Sequence, residues 1–165
     1  GVRTINKTNT NSETITCTNR TSTTIGLSGD ATGYTTAINT AAISFSGNTN
    51  IKTVDGSLGA IFGGSDDYLF YGTFRDCTSL EYIPEDLFAG VSGSATNMFY
   101  YTFSGCTSLT SIPENLFVDV ENGYFGSTFS GCTSLQSIPE NLFEGLDGSE
   151  TWMFYNTFRK ILHNS

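Results

Sequence analysis

The stretch that decides the fold reads Phe99-Tyr-Tyr-Thr-Phe103-Ser-Gly-Cys106-Thr-Ser-Leu109-Thr-Ser-Ile112-Pro113-Glu-Asn-Leu116-Phe117. A near copy precedes it, Phe70-Tyr-Gly-Thr-Phe74-Arg-Asp-Cys77-Thr-Ser-Leu80-Glu-Tyr-Ile83-Pro84-Glu-Asp-Leu87-Phe88. Another follows, Phe125-Gly-Ser-Thr-Phe129-Ser-Gly-Cys132-Thr-Ser-Leu135-Gln-Ser-Ile138-Pro139-Glu-Asn-Leu142-Phe143. The copies start at Phe70, Phe99 and Phe125, 29 and then 26 residues apart. Units this short cannot bury their apolar faces alone, so neighbours must stack to share a core. A fourth start, Phe154-Tyr-Asn-Thr-Phe158, breaks off with Ile161 where the Cys is due. Upstream, Phe45-Ser-Gly-Asn48-Thr-Asn-Ile51-Lys-Thr-Val54 is a worn copy carrying Asn for Cys, and Ile61-Phe62 echoes Leu116-Phe117. Its implied start is Ala41, 29 residues before Phe70.

Each unit reads as a small set of elements. Leu80-Glu-Tyr-Ile83 and its equivalents are short, apolar and ended by Pro, which suits a brief parallel strand paired with adjacent units. Pro84, Pro113 and Pro139 then stand where a helix tolerates a missing N–H, in its first turn, with an acidic residue next to complement the helix N-terminus. The Phe-x-x-x-Phe pair sits at i, i+4, the spacing of one helical face. The Gly-rich joining segments 89–98, 118–124 and 144–153 read as loops on one edge. Together these predict an α/β repeat solenoid, with stacked parallel strands on one side and short helices on the other. The array spans 41–165: a worn unit 41–69, full units 70–98, 99–124 and 125–153, and a partial unit 154–165. Ahead of it, residues 1–40 carry thirteen Thr, and Thr14-Ile-Thr-Cys17-Thr and Thr23-Thr-Ile25-Gly-Leu27 alternate with period two. Those segments predict a β-hairpin cap over the first repeat. Asn6-Lys-Thr and Asn19-Arg-Thr are formal glycosylation sequons within it.

Composition narrows the function classes. Of 165 residues, 38% are hydrophobic and 13% aromatic, enough for a core, while only 14% are charged, against roughly 25% in an ordinary domain. The net charge is −9, and from Asp76 to Phe158 there are eleven acidic side chains and no Lys or Arg. Nucleic-acid binding needs clustered cations to displace phosphate counterions, so nucleic acid is excluded as a partner. No run approaches the roughly 18 apolar residues of a membrane span, so membrane insertion is not expected. No secretory leader is visible, but the chain opens on Gly rather than Met, as a processed or trimmed chain would.

Candidate chemistry is sparse. Cys77, Cys106 and Cys132 share one repeat position, which points to small buried side chains in a column. A disulfide stays open on strand spacing, although three thiols cannot all pair. Zinc is disfavoured because no close-spaced Cys pair exists. The single His, His163, lies in the divergent C-terminal tail, a poor support for catalysis. Glu85, Glu114 and Glu140 recur because the unit recurs, and no unlike carboxylate pair stands out as a glycosidase would require. Oxygen-rich loops at Asp66-Asp67, Asp119-Val-Glu121 and Asp147-Gly-Ser-Glu150 lack the full spacing of a calcium loop. Accordingly no catalytic residue, metal or cofactor is expected, and the chain reads as a non-enzyme. Specificity is best sought where the copies differ: Glu81, Tyr82, Thr110 and Gln136 in the strand segment, and the row Tyr71, Tyr100 and Tyr155. Such tyrosines either complete the packing or anchor a protein or glycan partner.

The string Phe-x-x-Cys-Thr-Ser-Leu-x-x-Ile-Pro resembles the BspA-like leucine-rich repeat of bacterial surface proteins, strongly over 70–143 and weakly over 41–69 and 154–158. That resemblance implies a solenoid of leucine-rich-repeat type, an extracellular or cell-surface location, and a role in adhesion to host or microbial partners; with the exposed varying positions, the chain reads as a recognition or adhesion module for a protein or glycan. The alternative function is a purely structural spacer or stalk. The open edge of the C-terminal repeat would allow a homodimer.

Overall fold

The computed structural model describes residues 26–28, 31, 41–64, 66–148 and 151–161. The expected N-terminal β cap, with Cys17 and both sequons, lies outside the described residues except for 26–28 and 31; so do Glu150 and His163.

The copies stack side by side through their backbones. In each Phe-x-x-x-Phe segment alternate amides donate out of their own unit. Phe70, Gly72, Phe74 and Asp76 donate to the carbonyls of Met98, Tyr100, Thr102 and Ser104 at 2.7–3.0 Å. Tyr101, Phe103 and Gly105 donate to Gly126, Thr128 and Ser130 at 2.8–3.2 Å. Phe125, Ser127, Phe129 and Gly131 donate to Met153, Tyr155, Thr157 and Arg159 at 2.8–3.0 Å. The intervening amides fold back three residues: Tyr71 to Tyr68, Thr73 to Phe70, Arg75 to Gly72 and Cys77 to Phe74, at 3.0–3.2 Å. Half of the N–H groups therefore close tight turns, and the other half join one unit to the next.

This pattern corrects the α/β repeat solenoid expected from the sequence. Among the described residues the regular elements are one four-residue helix, α1 (Gly59–Phe62), and two short strands, β1 (Gly93–Ala95) and β2 (Val120–Gly123), paired in parallel. The i, i+4 spacing of the phenylalanines is the period of a repeating turn. Tyr68, Asp76, Asn97, Tyr101, Ser127, Trp152, Asn156 and Lys160 adopt φ of 55–67°, and together with the positive-φ Gly72, Gly105 and Gly131 these left-handed residues recur four apart along each segment. An α-helix would keep every amide bond inside the segment. Here the carbonyls of the next copy lie beside every second amide, and Gly, Ser, Asn, Asp and aromatic residues are weak helix formers in any case. A left-handed non-glycine residue costs about 1–2 kcal/mol, and burying a single Phe offsets that with about 1.5–3 kcal/mol.

The other expected elements are corrected too. No helix follows the prolines: Leu87, Leu116 and Leu142 donate three residues back to Pro84, Pro113 and Pro139 at 3.3–3.4 Å, as single turns. Glu85, Glu114 and Glu140 therefore have no helix N-terminus to complement. Nor do Leu80–Ile83 and its equivalents form strands. Leu80 and Ile83 are buried with Glu81 and Tyr82 exposed between them, and Leu109 to Ile112 repeat this in-out-out-in order. A strand alternates with period two, so two successive exposed residues break it. What remains is an isolated parallel bridge between Thr53 and Tyr82, with Glu81 donating to the Lys52 carbonyl at 2.8 Å and Gln136 to that of Thr110 at 3.2 Å. The paired strands lie instead in the joining segments read as loops. Among the described residues no helix is long and apolar enough to cross a membrane.

The core is built of side-chain columns that follow the stack. Phe45, Phe74, Phe103, Phe129 and Phe158 run in one file, with successive ring centroids 5.3–5.8 Å apart and planes within 14°. Phe70, Phe99, Phe125 and Phe154 form a second file, and Phe88, Phe117 and Phe143 a third. Between the first two files lies a polar column that the sequence reading passed over, although Thr recurs unchanged in every copy from the first full unit onward. Thr73, Thr102, Thr128 and Thr157 are buried, with their hydroxyls 2.8–3.1 Å from the carbonyls of Ile43, Phe70, Phe99 and Phe125 in the preceding unit, and those of Thr102 and Thr128 sharing their proton with the carbonyls of Phe99 and Phe125 in their own unit at 2.8 Å. Phe103 is fully enclosed, whereas Phe154 is 44% exposed at the end of its file. Phe103→Ala is expected to lower unfolding free energy by about 3–5 kcal/mol, and Phe154→Ala by clearly less. Urea unfolding followed by circular dichroism measures both; equal losses would contradict the columnar account of the core.

Candidate functional site

The residue that directly follows the first inward phenylalanine of a unit lies at the outer edge, and stacking brings these residues into a row. Tyr71 and Tyr100 lie 5.7 Å apart between ring centroids, and Tyr100 and Tyr124 5.3 Å. Tyr68 meets Tyr71 edge-on at 5.6 Å, and Tyr101 joins both Tyr71, at 6.0 Å, and Tyr100, at 4.1 Å. Farther along, Trp152 and Tyr155 meet edge-on at 5.7 Å. The edge thus carries an aromatic ridge, joined ring to ring from Tyr68 to Tyr124 and resumed beyond Gly126 by the separate Trp152–Tyr155 pair. Trp152 is 68% and Tyr155 48% exposed, and the other rings are half-buried.

Gly126 occupies the row position where its neighbours carry Tyr. A Cβ there would run into Cε1 of Tyr124 and come within 2.6 Å of Cδ2 of Tyr100. The two rings close over this backbone, and Tyr124 supplies from the joining segment the ring that the repeat itself lacks. The unit 99–124 is three residues shorter than its neighbours, which sets Tyr124 directly before Phe125.

Three phenols of the ridge, those of Tyr71, Tyr100 and Tyr124, are shifted upward. Burial pushes the Tyr71 and Tyr124 hydroxyls up, with the nearby Tyr101 and Tyr155 phenols adding to the effect. Burial likewise raises Tyr100 strongly, helped by the hydrogen bond that it donates to the Tyr101 hydroxyl at 3.2 Å. Arg75 places its guanidinium carbon 5.0 Å from the centroid of the Tyr101 ring, with its Nε 3.5 Å from the Asp76 carboxylate.

Of the residues singled out from sequence, Tyr71, Tyr100 and Tyr155 lie on this ridge. Glu81, Tyr82, Thr110 and Gln136 are exposed in the segments between the Leu and Ile of each unit, of which Ile83 and Ile112 are buried and Ile138 is exposed. Glu81 pairs with Lys52 at 3.8 Å, and Tyr82 is 48% exposed. Among the described residues no ring contact joins Tyr82 to the ridge. The sequence reading missed Tyr68, Tyr101, Tyr124 and Trp152. Three of these fall outside the shared motif, where comparison of copies gives no alignment, and Tyr101 is masked by the Tyr beside it.

The other candidate groups serve the stack. Cys77, Cys106 and Cys132 are free and buried, and each thiol donates to a carbonyl of the preceding unit: Phe45, Phe74 and Phe103, at 3.1–3.2 Å. Burial pushes all three thiols up, Cys132 to about 12, so they are poor nucleophiles. The acidic loops bond to their neighbours: the Asp67 carboxylate accepts from the Thr96 amide at 2.7 Å, and that of Asp119 from the Gly90 amide at 3.1 Å. Among the described residues no group of three or more His, Cys, Asp or Glu side chains could hold a metal ion. No family model matches the chain, and neither does any curated protein or solved structure.

Two outcomes follow from this geometry. Gly126→Ala is expected to displace the Tyr100 and Tyr124 rings, losing about 1–3 kcal/mol of stability and changing the near-ultraviolet dichroism of the tyrosines; an unchanged spectrum would contradict the close packing. The thiols set an alkaline limit. They stay protonated in the folded chain, while unfolded thiols ionise from about pH 8.5. Their contribution is complete below that pH and is lost as pH rises toward 12, because the unfolded chain then holds fewer protons. The urea midpoint should therefore fall between about pH 8.5 and 11, and Cys132→Ala should flatten that fall.

Proposed function

We propose that this chain is a non-enzymatic recognition or adhesion module that takes a protein or glycan partner along its tyrosine ridge. The observation that carries this reading is the run of ring contacts from Tyr68 to Tyr124 across successive units. Aromatic rings with an apolar body and a polar tip are favoured partner anchors, and Tyr71, Tyr100 and Tyr101 are carried by the hydrogen-bonded ladder, with Tyr124 and Trp152 added from joining segments. Glu81, Tyr82, Thr110 and Gln136 add a second exposed set that differs between copies and could tune specificity. The thiols and carboxylates described above are occupied with packing and loop bonds, which supports a role without catalysis. The resemblance of the Phe-x-x-Cys-Thr-Ser-Leu-x-x-Ile-Pro string to BspA-like surface proteins supports an extracellular or cell-surface location.

A second reading, a spacer whose repeats set only length and stiffness, draws on the uninterrupted phenylalanine files. Self-association through the C-terminal repeat has a polarity to satisfy. The ladder's donors point toward that end, so two such edges face to face would oppose donor to donor; a head-to-tail partner would supply carbonyls.

A protein and glycan array probed with the parent chain and with Tyr71→Ser, Tyr100→Ser and Tyr155→Ser separates the two readings. Recognition predicts at least one ligand whose binding drops about tenfold or more in the variants, as for an anchor residue worth over 1 kcal/mol. Ligand binding that the variants leave intact, or none at all, would favour the spacer.

A further inference from the structure

We propose that the tyrosine ridge docks an arginine-rich segment of a partner protein, whose guanidinium groups stack on its rings. This inference rests on the recognition reading above and narrows it to one ligand chemistry.

Three observations carry it. The ridge already holds a guanidinium from its own chain. Arg75 lies with its central carbon 5.0 Å from the Tyr101 ring centroid and its Nε 3.5 Å from the Asp76 carboxylate. Arg75 is also the sole Lys or Arg between Lys52 and Arg159, and it stands at the ridge. Second, the remaining rings present aromatic faces of the kind that attracts cations, and Trp152, 68% exposed, is of the type that binds them best. Third, the surrounding charge is complementary. The chain carries −9, with eleven acidic and no basic side chains from Asp76 to Phe158, Arg159 and Lys160 being the cations that follow, and Asp66 and Asp67 directly precede Tyr68. Such a field raises the local concentration of a cationic segment and its rate of encounter.

Charge alone would favour any cation, but the rings discriminate. A guanidinium is planar and weakly hydrated, so it can lie flat on an aromatic face while its N–H groups reach a carboxylate, whereas an ammonium is compact and strongly hydrated; Arg75 already stands near both a ring and a carboxylate. Arginine is therefore preferred to lysine at equal charge, and the preference belongs to the rings.

Calorimetric titration of the full chain with an oligoarginine and an oligolysine of equal length, at low and at near-physiological salt, tests this. Oligoarginine is expected to bind about fivefold or more tightly than oligolysine at the higher salt. The substitutions Trp152→Ser and Tyr155→Ser, at the two most exposed rings, are expected to weaken oligoarginine about fivefold with little effect on oligolysine, net charge or melting temperature. Tyr155→Phe keeps the ring and should keep the binding. Equal affinity for the two peptides, or oligoarginine binding that survives both ring substitutions, would overturn the proposal and leave only the attraction of an acidic surface. A glycan or neutral protein that binds through these rings while oligoarginine does not would overturn it as well, and would leave the recognition reading intact.

Discussion

The structure depends on the sideways donation of alternate backbone amides from one unit to the next. A chain that must satisfy its N–H groups has two local choices, a helix that closes every bond within the segment or a strand that opens all of them to neighbours. This chain divides them. One amide closes a turn three residues back, the next reaches the adjacent copy, and the pattern continues through Phe70–Asp76, Tyr101–Gly105 and Phe125–Gly131. The spacing between copies follows from these bonds, and the side-chain columns follow from the spacing.

Inside the stack, each repeated residue type answers one requirement of that arrangement. Phenylalanines stack in files because the ladder carries each ring to the same height in every unit. The buried threonine has a hydroxyl that needs an acceptor, and the preceding unit's carbonyl provides it; leaving such a group unsatisfied would cost about 1–3 kcal/mol. The thiol works in the same way at the far end of the segment, with less volume than a larger apolar side chain and a weak donor directed at a carbonyl. Asn48 replaces Cys in the worn copy, and it bonds instead to its own loop through the amide of Asn50 at 2.9 Å.

On the outside, the same periodicity turns single tyrosines into a ridge. Neither Tyr71 nor Tyr100 would be a surface of any size alone. Set 5.7 Å apart, and joined by Tyr68, Tyr101 and Tyr124, they present contiguous aromatic area on a frame that loses little entropy when a partner arrives. The place where the motif departs from its pattern, Gly126, is where a ring from a joining segment closes over the backbone.

The sequence by itself determined the period, the pairing of equivalent residues between copies, and which residues are invariant. These are legible because stacked copies impose the same demand at the same position. Leu-x-x-Ile also carried, in its spacing of three, the in-out-out-in burial that excludes a strand. The local conformation was decided only in the tertiary structure. Phe-x-x-x-Phe fits a helix as well as a repeating turn, and a neighbour's carbonyls, invisible in one copy, tip the choice by taking every second amide. The same holds for the ridge. Tyr71, Tyr100 and Tyr155 could be named from their shared position, but Tyr124 and Trp152 come to the edge through joining segments whose course is set by what they pack against.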